Sequence, residues 1–463
     1  MISFNCGELI KAVGGKLLWG DSHKVFFGIT TDSRKVEEGN LFIPLVGERF
    51  DGHDYIEQCF DAGARVCLTQ KVIPEREDCS AVLVTDTAKA LRDIAAWHRN
   101  KFNIPVVGIT GSVGKTSTKD MVSCVVAKKY NVLKTQGNFN NEIGLPLTFF
   151  NLEEKHEAAV IEMGMSGFGE ISRLTAIAQP QIAVITNIGV SHIEKLGSQQ
   201  GILKAKLEIL EGLKPDGLVV LNGDDPLLRE QRGKLKYRTV FYGMEWSADY
   251  FAENYQSLGE EGSSFTITLD NKTYKIKVPV PGKHNVYNAL AAIAVGIEMK
   301  IPMEIIVDGI AEYSPGSMRQ NIISHKGIKI INDAYNASPQ SMEAAINVLE
   351  ELSARTRGIA VLGDMLEMGS MAEELHYSVG NFIKDKKISY LITVGKDSKN
   401  ITRAVSDSGN CTINLRHFEN NTDALEYIIS IVKQGDYILI KGSRGMKMEQ
   451  IAEGLLQQEI IPD

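Results

Sequence analysis

The sequence lacks the marks of several large protein classes. Its six cysteines, among 463 residues, form no CxxC pair, and none lies near a histidine at zinc-finger spacing. No run of about 18 apolar residues exists, which argues against a membrane-spanning helix. The first residues, MISFNCGELIKAVGGK, have neither the basic start nor the apolar core of a secretory signal. We therefore expect a cytoplasmic protein with reduced, mostly buried thiols and no membrane partner.

Charge of one sign is not concentrated anywhere along the chain. The 50 basic and 58 acidic residues give a net charge of −8, and no basic block stands out. This balance argues against a nucleic-acid partner. Hydrophobic residues make up 43% and charged residues 23%, as in globular proteins. The length suggests about three domains.

The order of apolar segments divides the sequence into three regions, 1–102, 103–313 and 314–463. The first region is mixed, whereas the second and third alternate strands with helices. Continuous apolar strands that alternate with helices indicate parallel sheets covered on both faces. We predict an α/β fold with a small mixed N-terminal domain, a central parallel-sheet P-loop ATPase-like domain and a C-terminal Rossmann-like doubly wound domain.

The strands and helices of these regions are predicted from apolar periodicity and from turn residues. The predicted strands are Asn40–Leu45, Arg65–Thr69, Ala81–Thr85, Val106–Ile109, Ala158–Ile161, Ile182–Ile185, Leu218–Leu221, Ile328–Ile331, Ile359–Leu362, Tyr390–Val394 and Tyr437–Ile440. The predicted helices are Glu8–Val13, Thr87–Lys101, Ser117–Lys128 and Asn285–Met299, and a turn is predicted at Leu269–Lys272.

The strongest local motif is Gly108-Ile-Thr-Gly-Ser-Val-Gly-Lys-Thr116, between a predicted strand and a predicted helix. Its glycines would let backbone N–H groups converge on phosphate oxygens at a helix N-terminus. Lys115 would reach the β- and γ-phosphates, and the Thr116 hydroxyl would hold Mg²⁺. The motif departs from GxxxxGK[ST], because Ile109 stands where the first glycine is expected. The alternative is a glycine-rich turn without a ligand.

Polar residues end several predicted parallel strands, where ligands bind in such sheets. Glu162, Asn187, Asp333 and Asp364 all occupy such positions. Glu162 could bind the metal of a nucleotide; the alternative is a structural carboxylate that accepts hydrogen bonds.

His192 and Lys206 are two further candidates. His192 lies in a loop at the same sheet edge, where a structural role is the alternative. Lys206 falls inside the apolar arc of the helical stretch 202–210. A lysine that points inward must be paired, neutral or modified. The alternative is a side chain that reaches back to solvent.

Together these motifs resemble the ATP-dependent Mur ligases of peptidoglycan synthesis, over essentially the whole chain. Within that family they are nearest to the member that adds D-alanyl-D-alanine, whereas the central motifs are also shared with folylpolyglutamate synthases. The motifs that carry the resemblance are Thr31-Asp-Ser-Arg34, Gly47, Asp51-Gly-His53, the phosphate loop, Gln136 to Pro146, Glu162-Met-Gly164, Asn187 to His192, Ala205-Lys206, Gly282 to Leu290, Asp333 to Pro339, Gly363-Asp-Met-Leu-Glu367 with His376, and Lys441-Gly-Ser-Arg444.

The resemblance implies an amide ligase with ATP and Mg²⁺. ATP would phosphorylate the terminal carboxylate of UDP-N-acetylmuramoyl-tripeptide, and the amine of D-alanyl-D-alanine would attack the acyl phosphate. The family also implies a monomer. Two departures are visible: Asn332 replaces one member of an acidic pair next to Asp333, and Ala334 replaces a serine.

The resemblance also implies roles for individual residues. Lys115, His192 and Lys206 would be catalytic, and the lysine equivalent to Lys206 is carbamylated in many members, which implies the same modification here. The implied nucleotide-binding residues are Gly111, Ser112, Gly114, Lys115, Thr116, Ser117, Asn288, Arg319, Asp333 and Asn336. The implied metal ligands are Thr116, Glu162, His192 and Lys206. Substrate would contact Ser33 and Arg34 (uridine nucleotide), Asn138, Asn140 and Asn141 (sugar–peptide), and Glu367, Lys441 and Arg444 (amine).

Three other functions stay open at this point. One is another amide ligase of the superfamily, although the early Asp32-Ser-Arg34 motif argues against a folylpolyglutamate synthase. A second is a P-loop ATPase that hydrolyses ATP without an amine acceptor. A third is a nucleotide-sugar-binding protein that has lost catalysis, against which the full set of catalytic candidates argues.

Overall fold

The computed structural model describes residues 3–409 and 412–458, which divide into two compact units. Unit 1 takes in the residues up to Thr110, Lys129–Val184 and Leu207–Leu218; unit 2 takes in Gly111–Lys128, Ile185–Lys206 and the residues from Val219 onward. The predicted three-domain limits remain a prediction.

The strands are β1 Ser3–Asn5, β2 Lys16–Trp19, β3 Val25–Phe27, β4 Ile29–Thr30, β5 Leu41–Phe42, β6 Val66–Thr69, β7 Ser80–Leu83, β8 Val106–Thr110, β9 Val132–Lys134, β10 Ala158–Glu162, β11 Ile182–Ile185, β12 Leu218–Asn222, β13 Arg238–Gly243, β14 Tyr250–Ser257, β15 Ser263–Leu269, β16 Lys272–Val278, β17 Asn321–His325, β18 Ile328–Asp333, β19 Gly358–Gly363, β20 Tyr390–Val394, β21 Asn414–Phe418 and β22 Tyr437–Lys441.

The helices are α1 Cys6–Val13, α2 Ile56–Asp61, α3 Thr87–Arg99, α4 Lys115–Val126, α5 Gly144–Phe149, α6 Glu170–Ala178, α7 Ile193–Leu196, α8 Gln199–Leu207, α9 Pro226–Arg229, α10 Lys283–Glu298, α11 Met303–Ala311, α12 Pro339–Leu352, α13 Ala372–Ile383, α14 Lys399–Asp407, α15 Asn421–Ile431 and α16 Glu449–Gln457. Within residues 3–409 and 412–458, no helix combines the length and the hydropathy of a transmembrane span.

Unit 1 contains two main sheet regions. Its five-stranded sheet has the order β2-β7-β6-β5-β4 and is parallel except for β2. Strands β11, β8, β10 and β9 lie side by side, and β8, β10 and β9 run parallel. Because β10 ends at Glu162, this carboxylate stands at the carboxyl edge of the parallel strands.

Unit 2 contains a strand-rich stretch, β12 to β16, and a six-stranded sheet. The sheet has the order β17-β18-β22-β19-β20-β21 and is parallel except for β17. Helices α12, α13 and α14 supply one buried cluster with the strands, and α15 and α16 supply another. Neighbouring strand residues such as Val361 and Leu362 belong to different clusters, because side chains alternate between the two faces. The doubly wound prediction is therefore confirmed.

Most predicted elements are present, and several differ at their ends by one to three residues; three of these differences have a clear local cause or bear on the site. Helix α1 begins two residues earlier than Glu8, because Asn5 and Glu8 form a reciprocal capping box. Strand β5 is shorter than predicted, since Pro44 has no N–H group to pair. Helix α4 begins at Lys115, inside the phosphate-loop motif. The predicted turn at Leu269–Lys272 joins β15 to β16 in a hairpin.

The thiols agree with the expectation of a reduced protein. Cys6, Cys59, Cys67 and Cys79 are buried and Cys124 is half-buried, and none of these five thiols is in a disulfide. Burial raises the pKa of Cys67 well above its usual value, so this thiol is held uncharged. Cys411 lies outside the described residues.

Candidate active site

The phosphate loop leads directly into helix α4. Gly114 is the N-cap of this helix with a φ of 84°, a left-handed conformation that glycine adopts without strain. At Gly111 (φ 152°), a Cβ would lie 1.9 Å from Thr186 Oγ1. Close approach of the two chain segments therefore requires glycine at this position. The loop exposes the first N–H groups of α4, which is the geometry that binds phosphate.

A second segment, from Thr186 to Gly189, clamps this loop. Asn187 makes three of the bonds: its backbone oxygen accepts from Ser112 N–H (3.0 Å), its Oδ1 accepts from Val113 N–H (2.9 Å), and its Nδ2 donates to Val113 O (2.9 Å). Thr186 Oγ1 donates to Val113 O, and Gly189 N–H donates to Ser112 Oγ. The loop is thus held in shape by side chains rather than by its own sequence alone.

Two further loop residues have defined partners. Lys115 Nζ donates to Gly111 O at 2.9 Å and approaches Ser112 O at 3.4 Å, so the cation lies over the loop. Tyr313 lies near Ser117 at the start of α4; burial raises the pKa of Tyr313 to about 12, and the interaction with Ser117 opposes this change. Thr116 is buried.

Lys206 points into the protein interior, as its place on the apolar arc predicts. It lies on α8 and is 3% exposed, which excludes a side chain that reaches solvent. Burial lowers the pKa of Lys206 well below its usual value, and the positive charge of Lys115 lowers this pKa further. A neutral amine is therefore favoured at this position.

His192 lies within electrostatic range of the same cations. Its Nδ1 is 2.7 Å from Glu367 Oε2. Burial lowers the pKa of His192; the Glu367 carboxylate opposes this change, and the charges of Lys115 and Lys206 add to it. The structure thus brings His192, Lys115, Lys206 and Glu367 together in unit 2.

In unit 1, Glu162 has one oxygen engaged and one oxygen without a hydrogen-bond partner. Oε1 accepts from Asn140 Nδ2 at 2.7 Å, whereas the buried Oε2 has no partner. The backbone N–H of Glu162 donates to Thr135 Oγ1. A buried carboxylate oxygen without a partner is costly, and a cation is the ligand that would satisfy it.

The other sequence-predicted nucleotide residues of unit 2 lie in hydrogen-bonded or stacked positions. Asn288 is buried on α10, and its Oδ1 accepts from Thr118 Oγ1 on α4 (2.9 Å). The Arg319 guanidinium lies 4.0 Å from the centroid of the Tyr335 ring. Asn336 is exposed.

The amine-binding candidates are divided between two places. Lys441 is 3% exposed and pairs with Asp333 Oδ2 at 2.6 Å, a consequence of the register that places these two residues side by side on β18 and β22. Arg444 is exposed and pairs with Glu449 at 2.8 Å. Glu367, the third amine-binding candidate, pairs with His192 and not with either of these groups.

The remaining substrate candidates belong to unit 1. Arg34 is exposed and pairs with Asp32, beside Ser33 in a short 3₁₀ turn. Asn138 is exposed. Asn140 is committed to Glu162, and Asn141 Oδ1 accepts from two backbone N–H groups at the start of α5.

Side chains that could hold Mg²⁺ are present, although no group of three or more His, Cys, Asp and Glu residues comes together within residues 3–409 and 412–458. The unpartnered Oε2 of Glu162 and the hydroxyl of Thr116 at the start of α4 are oxygen donors of the kind that Mg²⁺ prefers. Lys206 would become an oxygen donor only as a carbamate. Taken unit by unit, Glu162 in unit 1 and Thr116 in unit 2 each suit Mg²⁺ that also uses phosphate and water oxygens.

Sequence reasoning missed several residues that shape this site. Asn187 was noted as a strand-end polar residue but not as the clamp of the phosphate loop. Asn285 and Gln320 are buried and join a hydrogen-bonded network with Asn288 and Asp333. Asn285 lies within the Gly282 to Leu290 motif but was given no role, and the only sequence signal of Gln320 is its place beside Arg319.

Comparison with known proteins gives full-length matches. Protein-family models match at residues 26–99 (Mur ligase family, catalytic domain), 109–296 (Mur ligase middle domain) and 318–444 (Mur ligase, glutamate ligase domain). The UDP-N-acetylmuramoyl-tripeptide--D-alanyl-D-alanine ligase of Bacillus subtilis (strain 168) is 44% identical over 446 residues, 94% of each chain.

Solved structures agree with these matches. A crystal structure of MurF from Acinetobacter baumannii is similar with a TM-score of 0.92 and 29% identity, covering 99% of this chain and 100% of that one. MurF ligase from Thermotoga maritima, solved in complex with ADP, has a TM-score of 0.83 and 27% identity, covering 93% and 97% of the two chains.

Proposed function

The chain belongs to the Mur ligase family, and we propose that it joins D-alanyl-D-alanine to UDP-N-acetylmuramoyl-tripeptide in a reaction driven by ATP. The observation that carries the proposal is the cluster of Lys115, His192 and Lys206 beside a clamped phosphate loop. A cluster of this kind suits phosphoryl transfer to an anionic acceptor. The full-length similarity to ligases of that name supports the choice of substrates.

The chemistry begins with a carboxylate, which is a poor electrophile. A carboxylate oxygen attacks the γ-phosphorus of ATP, the bond to the β-bridging oxygen breaks, and ADP leaves. The D-alanyl-D-alanine amine then attacks the acyl phosphate carbon. Collapse of the tetrahedral intermediate expels phosphate, and the amine nitrogen loses a proton, which leaves an amide.

The first step brings two anions together, so positive charge must lie between them. Backbone N–H groups at the start of α4 and the Lys115 ammonium supply it at the phosphates. Bound Mg²⁺ would neutralise phosphate charge, with Thr116, His192 and Lys206 as proposed ligands in unit 2 and Glu162 as the proposed ligand in unit 1. Arg319, Asp333, Asn336 and Asn288 are the proposed contacts for the rest of the nucleotide.

Lys206 suits this role best as a carbamate. A neutral lysine amine attacks CO₂ and loses a proton, which converts the side chain into an anion. The lowered pKa of Lys206 favours the neutral amine that this reaction needs. A carbamate at Lys206 would also be attracted to the half-buried Lys115 ammonium, whereas a protonated Lys206 would be repelled by it.

The amine substrate is a zwitterion, and the proposed contacts carry both signs, since Glu367 is acidic whereas Lys441 and Arg444 are basic. Arg444 is exposed and suits the substrate carboxylate through paired N–H donors. Lys441 would act from beside Asp333. Ser33 and Arg34 are the proposed uridine-nucleotide contacts, and Asn138, Asn140 and Asn141 the proposed sugar–peptide contacts.

The test is phosphate release from ATP with UDP-N-acetylmuramoyl-tripeptide present and candidate amines added one at a time. The nucleotide substrate is offered with lysine and with diaminopimelate as third residue. Release that requires D-alanyl-D-alanine, with the amide product seen by mass, supports the proposal. Phosphate release that requires another amine would show that the chain is a related amide ligase with a different amine substrate. Phosphate release without any amine would identify an ATPase. Sedimentation of the same sample tests the proposed monomer.

A further inference from the structure

A buried hydrogen-bonded network in unit 2 centres on Gln320, which precedes β17. Gln320 is 8% exposed and has a φ of 52°. Its side-chain Oε1 accepts from His284 Nε2 (2.7 Å) and from Asn285 Nδ2 (3.2 Å), and its Nε2 donates to Pro281 O (2.8 Å). The whole side-chain amide is therefore engaged by the start of helix α10.

The backbone of the same residue faces the opposite way. Gln320 N–H donates to Asp333 Oδ1 at 3.0 Å. The other oxygen of Asp333 accepts from Lys441 Nζ at 2.6 Å, and Lys441 also donates to Asn336 O at 3.0 Å. One end of the network thus reaches proposed amine-binding and nucleotide-binding residues.

The other end reaches the helix of the phosphate loop. Asn285 Oδ1 accepts from Asn288 Nδ2 at 3.1 Å, and Asn288 Oδ1 accepts from Thr118 Oγ1 at 2.9 Å. Asn285, Asn288 and Thr118 are all at most 5% exposed. Buried amides whose polar atoms are all paired have little freedom to rotate, since each alternative orientation leaves a donor or acceptor unsatisfied.

We propose that Gln320 is a positioning residue that holds Asp333 and Lys441 in a set orientation relative to Asn285 and Asn288. It touches no proposed substrate itself. It joins the residues proposed for the amine end of the reaction to the residues proposed for the nucleotide. The positioning role of Gln320 in catalysis rests on the proposed function, whereas the hydrogen-bonded network is observed in the structure whatever the function is.

If Gln320 has this role, loss of its side chain should affect turnover more than nucleotide binding. Nucleotide binds chiefly through the backbone of the phosphate loop, which Gln320 does not contact. Loss of the side chain removes one hydrogen-bond partner each from Pro281 O, His284 Nε2 and Asn285 Nδ2. Asn285 Nδ2 still donates to Pro281 O, but the Asp333–Lys441 pair is freed to move relative to α10. We expect the rate of the complete reaction to suffer and nucleotide affinity to persist.

The first experiment uses Q320G in the full chain. Glycine keeps the positive φ and the backbone N–H to Asp333, so only the side chain is lost. We expect kcat to fall about tenfold or more and the KM for D-alanyl-D-alanine to rise, while the Kd for ADP stays within about threefold. The matched control is N271G, because Asn271 also has a positive φ (62°) but lies exposed in the β15–β16 turn.

A second measurement does not depend on activity. Gln320 Oε1 lies 2.7 Å from His284 Nε2 and can only accept, so this contact assigns the ring proton to Nε2 in the parent chain. Nitrogen-15 NMR of the histidine rings, assigned with H284Q, reports this tautomer. We expect the Nε2–H form in the parent chain and in N271G, and a mixture of tautomers in Q320G.

The two measurements separate the possible failures. Unchanged kcat and KM in Q320G overturn the proposal, whatever the tautomer. A loss of activity that only follows the unfolded fraction, with His284 still in the Nε2–H form, overturns it as well. If the parent chain makes no amide, the proposed function has failed, and the tautomer in Q320G alone decides whether Gln320 holds the network. Should Q320G not fold, Q320N carries the test, because asparagine tolerates the same φ.

Discussion

Nδ1 of His192 lies 2.7 Å from Oε2 of Glu367, although sequence reasoning assigned the two residues to different ligands. Both have left-handed backbones, with φ values of 61° and 63°. An imidazole that donates Nδ1–H to a carboxylate keeps its Nε2 lone pair available. Glu367 is therefore placed to orient His192, which is the arrangement that carboxylates commonly have beside metal-binding histidines.

The substitution E367Q tests this relationship. We expect kcat to fall about tenfold at low Mg²⁺, with the KM for D-alanyl-D-alanine unchanged, because the variant weakens the orientation of His192. The pKa of His192 should also fall further, since the Glu367 charge now raises it. Steady-state kinetics and proton NMR give the two readouts. E374Q, an exposed site on α13, is the control; a rise in that KM alone would assign Glu367 to the amine substrate.

Lys206 should be required for activity. We expect K206A to lose about 100-fold or more in kcat, because it removes a group that balances charge at the site of phosphoryl transfer. If the lysine is a carbamate, short carboxylic acids added to K206A should restore part of the rate, and ¹³CO₂ should give the parent chain a carbamate carbon signal. K204A changes an exposed lysine of the same helix and should behave as the parent chain does. Full activity in K206A would falsify the assigned role.

Gly111 should not tolerate a side chain. We expect G111A to lose ADP binding and to lower the free energy of unfolding by about 1–3 kcal/mol, because its Cβ would overlap Thr186 Oγ1. Calorimetric titration and urea unfolding measure the two effects. In G316A the new Cβ meets no atom within 4 Å, so this variant should bind ADP normally. Normal ADP affinity in G111A would show that the loop moves to accept a side chain.

The Asp51 carboxylate should stabilise unit 1 at pH values above the pKa that Asp51 has in the unfolded chain. Hydrogen bonds from Lys71, and then from the His53 backbone, hold the pKa of Asp51 well below its usual value. A lowered carboxyl pKa contributes stability above about pH 4 and loses it as the pH falls toward the folded-state value. D51N should therefore have a lower urea midpoint than the parent chain at pH 7, and the difference should shrink below pH 4.

The control is D54N, which changes an exposed carboxylate of the same turn. The difference in urea midpoint between D54N and the parent chain should not shrink in this way as the pH falls. A constant difference between D51N and the parent chain from pH 7 to pH 3 would contradict the ionic origin of the effect.

Much of the fold was predictable because local patterns report burial. The apolar strands of the C-terminal region predict a sheet covered on both faces, and the two side-chain clusters confirm it. The inward position of Lys206 follows from helical periodicity in the same way. The element ends were less predictable, since the capping box at Asn5 and the missing N–H of Pro44 act at single residues.

The contacts between distant segments could not be predicted in this way. Asp333 and Lys441 meet because of the register between β18 and β22, which no local pattern specifies. The Asn187 clamp and the Gln320 network likewise join segments far apart in the chain.

The sequence by itself determined the elements of this protein, the phosphate loop, the family and the residues that bear chemistry, because spacing and residue type are local. Only the tertiary structure decided which of those residues act together: Glu367 with His192, Lys441 with Asp333, and Asn140 with Glu162. The physical reason is that hydrogen bonds and ion pairs act over about 3 Å. Chain folding, rather than sequence distance, decides which groups come within that range.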